Sequence, residues 1–333
     1  MNSPSLEDSL AQALSARLTL VSEPHTAAFR LFSGYYEGQA DLTADVFGKT
    51  LLLSTGAENL SAAAVWLETA RAFYLQKLPW LECVVQKQRG GDRAQKQGEI
   101  VWGTSPAVEV IENGVHYALR LQMNQDASFY LDTRELRTWL QQNCAGKSVL
   151  NTFAYTGSLG ITALAGGAAS VRQVDLNRGF LDLARTSAML NHLDLGRMKL
   201  VANDIFSEIG WLKKGQHLFE VVILDPPFFS VTEKGKVDLV SESTRMLNKV
   251  RPLVQDGGYL IAINNALFLS GQEYMDSLQR LCTDGYLEVV TTLPVPADVT
   301  GFPDTVVRQP PVDPAPFNHS TKIAVLKVRR KAS

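Results

Sequence analysis

The sequence predicts an α/β fold: a seven-stranded sheet with its last strand antiparallel, preceded by a smaller N-terminal α+β domain. Three observations predict it. From Lys147 onward, short apolar runs alternate with helical patterns at about 157–166, 177–191, 205–214, 236–254 and 272–284. Each parallel crossover needs a helix, so this alternation means a parallel sheet covered on both faces. The run Ser320–Val328 follows the sixth strand (about 286–293) without a helix between them, which predicts a reversed final strand. Finally, successive strands end on a Gly-punctuated turn (TGSLG) or on an acid (Asp175, Asp204, Asp225), and strand ends of that kind line one crevice.

The chain before the sheet reads differently. Residues 4–18 carry Leu6, Leu10, Leu14 and Leu18 at helical spacing, and Ala28 onward alternates in short runs broken by Glu37-Gly38 and Phe47-Gly48, as hairpins do. Leu60–Leu78 reads as a helix ended by Pro79, followed by a strand (Leu81–Gln86), a Gly-bearing turn and further short strands up to about residue 125. The turn Lys87–Gly98 carries Lys87, Arg89, Arg93 and Lys96; it reads either as a phosphate-facing hairpin tip or as a solvated loop. The expected division is 1–125 for this possible RNA- or substrate-binding domain and 126–333 for the catalytic domain.

Composition sets the bounds. The 333 residues are 45% hydrophobic, with 32 basic against 34 acidic residues, so a nucleic-acid surface has to be a local patch and not a global field. Cys83, Cys144 and Cys282 lack the paired spacing of zinc or redox sites and read as free thiols in a reducing compartment. The N-terminus has no apolar core of signal-peptide or membrane-span length, so a cytoplasmic location without membrane association is expected.

Lys147–Gly160 (KSVLNTFAYTGSLG) reads as a strand delivering a tight turn to a helix N-terminus, where free N–H groups favour the polar end of a cofactor. Asp175 ends the next strand, where a carboxylate can accept from ribose hydroxyls, and Asp225 opens the Asp225-Pro226-Pro227-Phe228 turn. Together with LDTREL, VDLNRGFLDLARTSAMLNHLDL and NDIF, these stretches resemble the ordered motifs of the bacterial large-subunit (23S) ribosomal RNA methyltransferases, a group with both cytosine carbon-5 and guanine N7 members. The resemblance is strong from Phe129 to about Leu260 and weaker over residues 28–125, where EGQADLTADVFGKTLLL is similar to a linker-domain stretch. It implies a Rossmann-like class I methyltransferase sheet, S-adenosylmethionine as cofactor with S-adenosylhomocysteine as product, RNA as partner and no metal. It also implies site residues: Asp132, Arg134, Phe153, Tyr155, Thr156 and Gly157 for the methionine part, Asp175 and Leu176 for the ribose, and Asp204 with Ile205 for the adenine. Asp225, Pro226, Pro227 and Phe228 would face the acceptor, Asp225 also touching the cofactor, with Phe228 as a stacking surface and Phe229 in the core. On the residues alone, the lesser alternative for Asp204, and a weaker one still for Asp175, is a cap on the next helix.

Two departures shape the expected chemistry. The chain is expected to lack the family's N-terminal PUA-type domain, which would precede residue 28. The cytosine enzymes carry a nucleophilic Cys at the end of the fifth strand, where this chain reads IAINNALF with Asn264 and Asn265, similar to the FSNN segment of the guanine N7 enzymes. Carbon-5 of a pyrimidine needs a thiolate addition before it can attack, so transfer to a base nitrogen is expected. The alternatives are a small-molecule or protein methyltransferase and, behind them, a cofactor-binding protein without turnover. The connection Pro294–Phe317 holds seven of the 14 prolines and is expected at the acceptor site, with Asp298, Asp304, Arg308, Asn318 and His319 as its polar candidates.

Overall fold

The computed structural model describes residues 5–57, 60–232, 235–238 and 243–330. The chain forms two compact units, Met1–Asp132 with Pro296–Gln309, and Thr133–Val295 with Pro310–Ser333.

In the first unit, helix α1 (Leu6–Arg17) starts at a capping box in which Ser5 and Asp8 satisfy each other's backbone donors. Strands β1 (Ala28–Ser33), β2 (Leu42–Phe47) and β3 (Thr50–Thr55) form a meander, and helix α2 (Leu60–Lys77) crosses to β4 (Cys83–Gln88), parallel to β3. After the short α3 (Arg93–Gln97), β5 (Glu99–Gly103) returns antiparallel and completes a sheet in the order β1-β2-β3-β4-β5. β6 (Glu109–Glu112) and β7 (Val115–Ala118) pair across Asn113 and Gly114, both left-handed (φ 51° and 76°), as a two-residue hairpin turn requires. Leu10 and Leu14 of α1 and Leu67 and Tyr74 of α2 pack with Leu31, Leu51 and Leu53 of the sheet.

Two features of this unit differ from the sequence reading. Lys87, expected on a basic hairpin tip, lies in β4 at 2% exposure and donates to the Asn124 and Asp126 carbonyls at 2.6 and 2.7 Å. Of the four basic residues of the turn, Arg89, Arg93 and Lys96 are exposed. The middle of the proline-rich connection, Pro296–Gln309, packs as part of this unit. Arg17 and Glu37, both buried, form a two-pronged ion pair (2.9 and 3.1 Å), and Arg17 also donates to the Asp298 carbonyl at 2.9 Å and stacks over Phe302. Asp298 Oδ2 accepts from Arg30 N at 2.9 Å, Thr305 donates to Glu37, and Val307 N donates to Tyr36 O at 2.8 Å. Asp298, 2% exposed, is thus a structural acceptor and not the acceptor-site candidate expected from sequence.

The second unit is the predicted α/β sheet. Its elements are α4 (Arg134–Asn143), β8 (Ser148–Thr152), α5 (Ser158–Ala165), β9 (Ser170–Asp175), α6 (Arg178–Leu190), β10 (Met198–Ala202), α7 (Ile205–Lys214) and β11 (Phe219–Leu224). They continue with a hairpin, β12 (Phe229–Thr232) and β13 (Gly235–Asp238), then α8 (Ser243–Val250), β14 (Val254–Asn264), α9 (Gly271–Cys282), β15 (Leu287–Leu293) and β16 (Lys322–Val328). The sheet order is β10-β9-β8-β11-β14-β16-β15, and β16 runs antiparallel to both neighbours. One core layer joins Ile205, Leu212, Leu247 and Leu278 to the sheet; another joins Leu136, Leu140, Leu159 and Ala163 to its other strand positions. The helix expected over 236–254 is shorter, because the alternating residues after Phe228 pair as the hairpin before α8 begins. The Phe229 side chain lies outside the described residues. Asn318 bonds both main-chain groups of Val295 (2.9 and 2.8 Å), and His319 Nδ1 accepts from Thr321 N at 3.0 Å. Among the described residues no helix is long and apolar enough to cross a membrane.

Candidate active site

The carboxyl ends of β8, β9, β10 and β11 carry the expected residues, and the loop between β8 and α5 is the most constrained of them. Phe153 (φ 52°), Tyr155 (φ 51°) and Gly157 (φ 78°) are all left-handed. Such a conformation costs a bulky residue on the order of 1–3 kcal/mol and persists only where its surroundings enforce it. Here Ala154 N donates to Val174 O, Tyr155 N to Asp175 Oδ2 and Gly157 N to Ala154 O, each at 2.8 Å. Gly157 has no room for a side chain, since a Cβ would lie 2.5 Å from Ala184 Cβ and 2.8 Å from the Gln173 amide. As the residue capping α5 it offers no side-chain acceptor, so the helix N-terminus is left for a polar ligand.

Asp175 does two things at once. Its Oδ1 accepts from Asn177 N at 2.8 Å while Oδ2 holds Tyr155, leaving further lone pairs on both oxygens. Burial raises its pKa, outweighing the two N–H groups that favour the anion. Leu176 beside it is 63% exposed.

Asp204 uses its two oxygens differently. Oδ1 caps α7, accepting from Phe206 N (2.9 Å) and Ser207 N (3.1 Å), whereas Oδ2 is buried without a hydrogen-bond partner. A buried carboxylate oxygen without a donor is costly in isolation, and the exocyclic amine of an adenine is a donor that fits it. Ile205 is 5% exposed and belongs to the core. At the end of β11, Asp225 is half-buried, Pro226 is buried, and Pro227 and Phe228 are exposed, Phe228 at 48%. Arg134 opens α4 in this unit; Asp132, in the turn Leu131–Thr133, is the last residue of the first unit.

The sequence reading missed Lys322. Paired in register with Asn264 and fully buried, it donates to Ala266 O (3.0 Å) and Ser320 O (2.6 Å), and Asn264 Oδ1 accepts from Ala266 N at 2.9 Å. Burial pushes the Lys322 pKa down to about 8. Its one sequence signal is a lysine inside the otherwise apolar run TKIAVL. No thiol stands at the end of β14: Cys144 caps α4 and Cys282 ends α9, each shortly before a strand begins, which is the opposite edge of the sheet. Burial raises both thiols, Cys144 to about 12.

Over residues 39–304 the chain matches the family described as S-adenosylmethionine-dependent methyltransferase. It is similar to the Ribosomal RNA large subunit methyltransferase I of Shewanella amazonensis, at 29% identity over 290 residues covering 84% of this chain and 70% of that protein. The protein of the same name from Klebsiella pneumoniae is 30% identical over 298 residues, covering 86% of this chain and 72% of that one. A crystal structure described as a methyltransferase complexed with SAH superposes with a TM-score of 0.85 over 98% of this chain and 83% of its own, at 21% identity, which bears on the fold alone. A match across most of the chain, on a sheet whose strand ends present a helix N-terminus and an unsatisfied acid, settles the family: this chain belongs to the S-adenosylmethionine-dependent methyltransferases.

Proposed function

We propose that the enzyme methylates a nitrogen of a base in ribosomal RNA, in the cytoplasm. When bound, S-adenosylmethionine supplies a methyl group already activated on a sulfonium, which leaves the protein to align donor and acceptor and to exclude water. Asp175 accepts from the ribose hydroxyls, with Leu176 beside it, and Asp204 Oδ2 accepts from the adenine amine. Phe153, Tyr155, Thr156 and Gly157 serve the methionine part, with Asp132 and Arg134. Asp225, Pro226 and Pro227 present fixed acceptors to a base edge, and Phe228 stacks on a flipped or single-stranded base. Residues 1–125 form the RNA-binding domain, with Arg89, Arg93 and Lys96 exposed for phosphates, and residues 126–333 the catalytic domain, apart from Pro296–Gln309, which packs in the first unit.

The observation that carries this reading is the half-exposed Phe228 directly after Asp225-Pro226-Pro227, at the same sheet edge as the cofactor acids. The names of the relatives support RNA as the acceptor. The Asn264-Asn265 pair in place of a thiol supports nitrogen over carbon-5. The test is mass mapping of ribosomal RNA from a strain lacking the gene, before and after incubation with enzyme and labelled S-adenosylmethionine. Restoration of one N-methylated base is expected, with Phe228→Ala losing turnover while cofactor affinity is kept. A carbon-methylated base, or an unchanged RNA, would overturn the proposal.

A further inference from the structure

We infer that Phe268 is a second stacking surface for the acceptor base, and that Lys322 is the positioning residue that sets it. The inference rests on the RNA-base reading above. The loop from Asn264 to Ser270 joins β14 to α9 at the carboxyl edge of the sheet. It lies beside the end of β11, since Leu224 and Ala262 are paired in parallel register. Two large apolar side chains on this loop face solvent, Leu267 at 43% and Phe268 at 71% exposure, next to the strand whose end carries Phe228 at 48%. Large apolar groups gathered in the open at a crevice edge mark a contact surface. A base offers the apolar π-face that such a surface accepts.

The loop is anchored although its tip is exposed. Ala266 is fully buried, with its N–H held by Asn264 Oδ1 at 2.9 Å and its carbonyl held by Lys322 Nζ at 3.0 Å. On the far side, Ser270 and Glu273 close a capping box on α9, with bonds of 2.9 and 3.1 Å. Phe268 therefore stands between two fixed points, which is the preorganisation a stacking platform needs. A buried ammonium is expensive to keep where a methionine would pack as well. Its two acceptors here are the Ala266 and Ser320 carbonyls, so what Lys322 contributes is the path of this loop and of its own strand start.

The test is steady-state kinetics on an RNA acceptor that the wild type methylates, with cofactor affinity measured by calorimetry. Phe268→Ala should lower kcat/KM for RNA by roughly five- to a hundredfold, the range of one lost base–aromatic stack, with S-adenosylmethionine affinity unchanged; Phe268→Trp should restore it. Lys322→Met should produce the same split, and adding Phe268→Ala to it should cost little more, because both act through one loop. If Lys322→Met fails to fold, the exposed Phe268 pair decides alone. Wild-type kinetics in Phe268→Ala would overturn this inference and leave the acceptor class standing. A wild type that methylates no RNA would overturn both.

Discussion

The backbone N–H of Tyr155 donates to Asp175 Oδ2 at 2.8 Å, so the carboxylate proposed to meet the ribose is also the clamp that holds an aromatic residue at φ 51°. Binding and loop geometry therefore share one side chain. Asp175→Ala should weaken S-adenosylmethionine binding by about 1–3 kcal/mol and lower the melting temperature as the loop is released. Because burial raises the Asp175 pKa above the ordinary 3.8, the affinity of the wild type should fall on acidification earlier than an ordinary aspartate would cause. Calorimetry on the folded variant and across pH checks both; unchanged affinity in Asp175→Ala would remove the residue from the site.

Asp204→Asn separates the two jobs of Asp204. An asparagine oxygen caps a helix as well as aspartate does, so thermal stability should hold nearly constant. Its amide nitrogen would then take the place of Oδ2 and meet the adenine amine donor to donor. Cofactor affinity should drop by about 1–3 kcal/mol. A variant that melts lower but binds normally would mean that Asp204 is a cap and nothing more.

Bridging residues 298–312 with Gly-Ser should destabilise the protein before any effect on chemistry is reached. The bridge removes the Asp298, Phe302 and Thr305 contacts from a fully buried Arg17 and Glu37. The Arg17–Glu37 pair itself remains, and each lost hydrogen bond to a charged group costs about 1.5–3 kcal/mol. A melting curve is the measurement, and a parental midpoint would show the segment to be dispensable to the fold.

Lys87 and Lys322 both carry pKa values lowered to about 8 from 10.5, chiefly by burial. In the unfolded chain each stays protonated up to 10.5, so between pH 8 and 10.5 the unfolded state binds more protons and stability rises with pH. Below pH 8 the cost of burying the charge is fully present. Lys322→Met or Lys87→Met should each flatten this rise by an amount on the order of 3 kcal/mol, measured by denaturant titration at pH 7, 8.5 and 10. A wild-type slope in both variants would refute the assignment.

Replacing Cys83, Cys144 and Cys282 with alanine should leave turnover at the wild-type rate. Cys83 and Cys144 are buried, and Cys144 and Cys282 stand at the edge of the sheet away from the acids. A covalent complex trapped with a 5-fluoropyrimidine RNA would reverse this and restore carbon-5 chemistry.

Local pattern was enough to read the sheet of the second unit and the positions of its acids. Strand and helix periods are local properties, and each crossover helix forces the next strand parallel, so the order of elements carried the topology through to the reversed β16. Asp175, Asp204 and Asp225 were legible for the same reason, since an acid at a strand end is defined by its neighbours in sequence. The rest came from contacts between residues that are not neighbours in sequence. Asp298 reaches Arg30 and Arg17 across 268 and 281 positions, which no local pattern encodes, and this is what draws Pro296–Gln309 into the first unit. The burial of Lys87 and Lys322 was hidden likewise: a lysine reads as solvated until the fold brings main-chain carbonyls such as those of Asn124 and Asp126, or of Ala266, onto its ammonium. For Asp204 the sequence left cap and ligand as alternatives; the structure shows the cap on one oxygen and leaves the other buried without a partner, which is why both roles are compatible with one side chain.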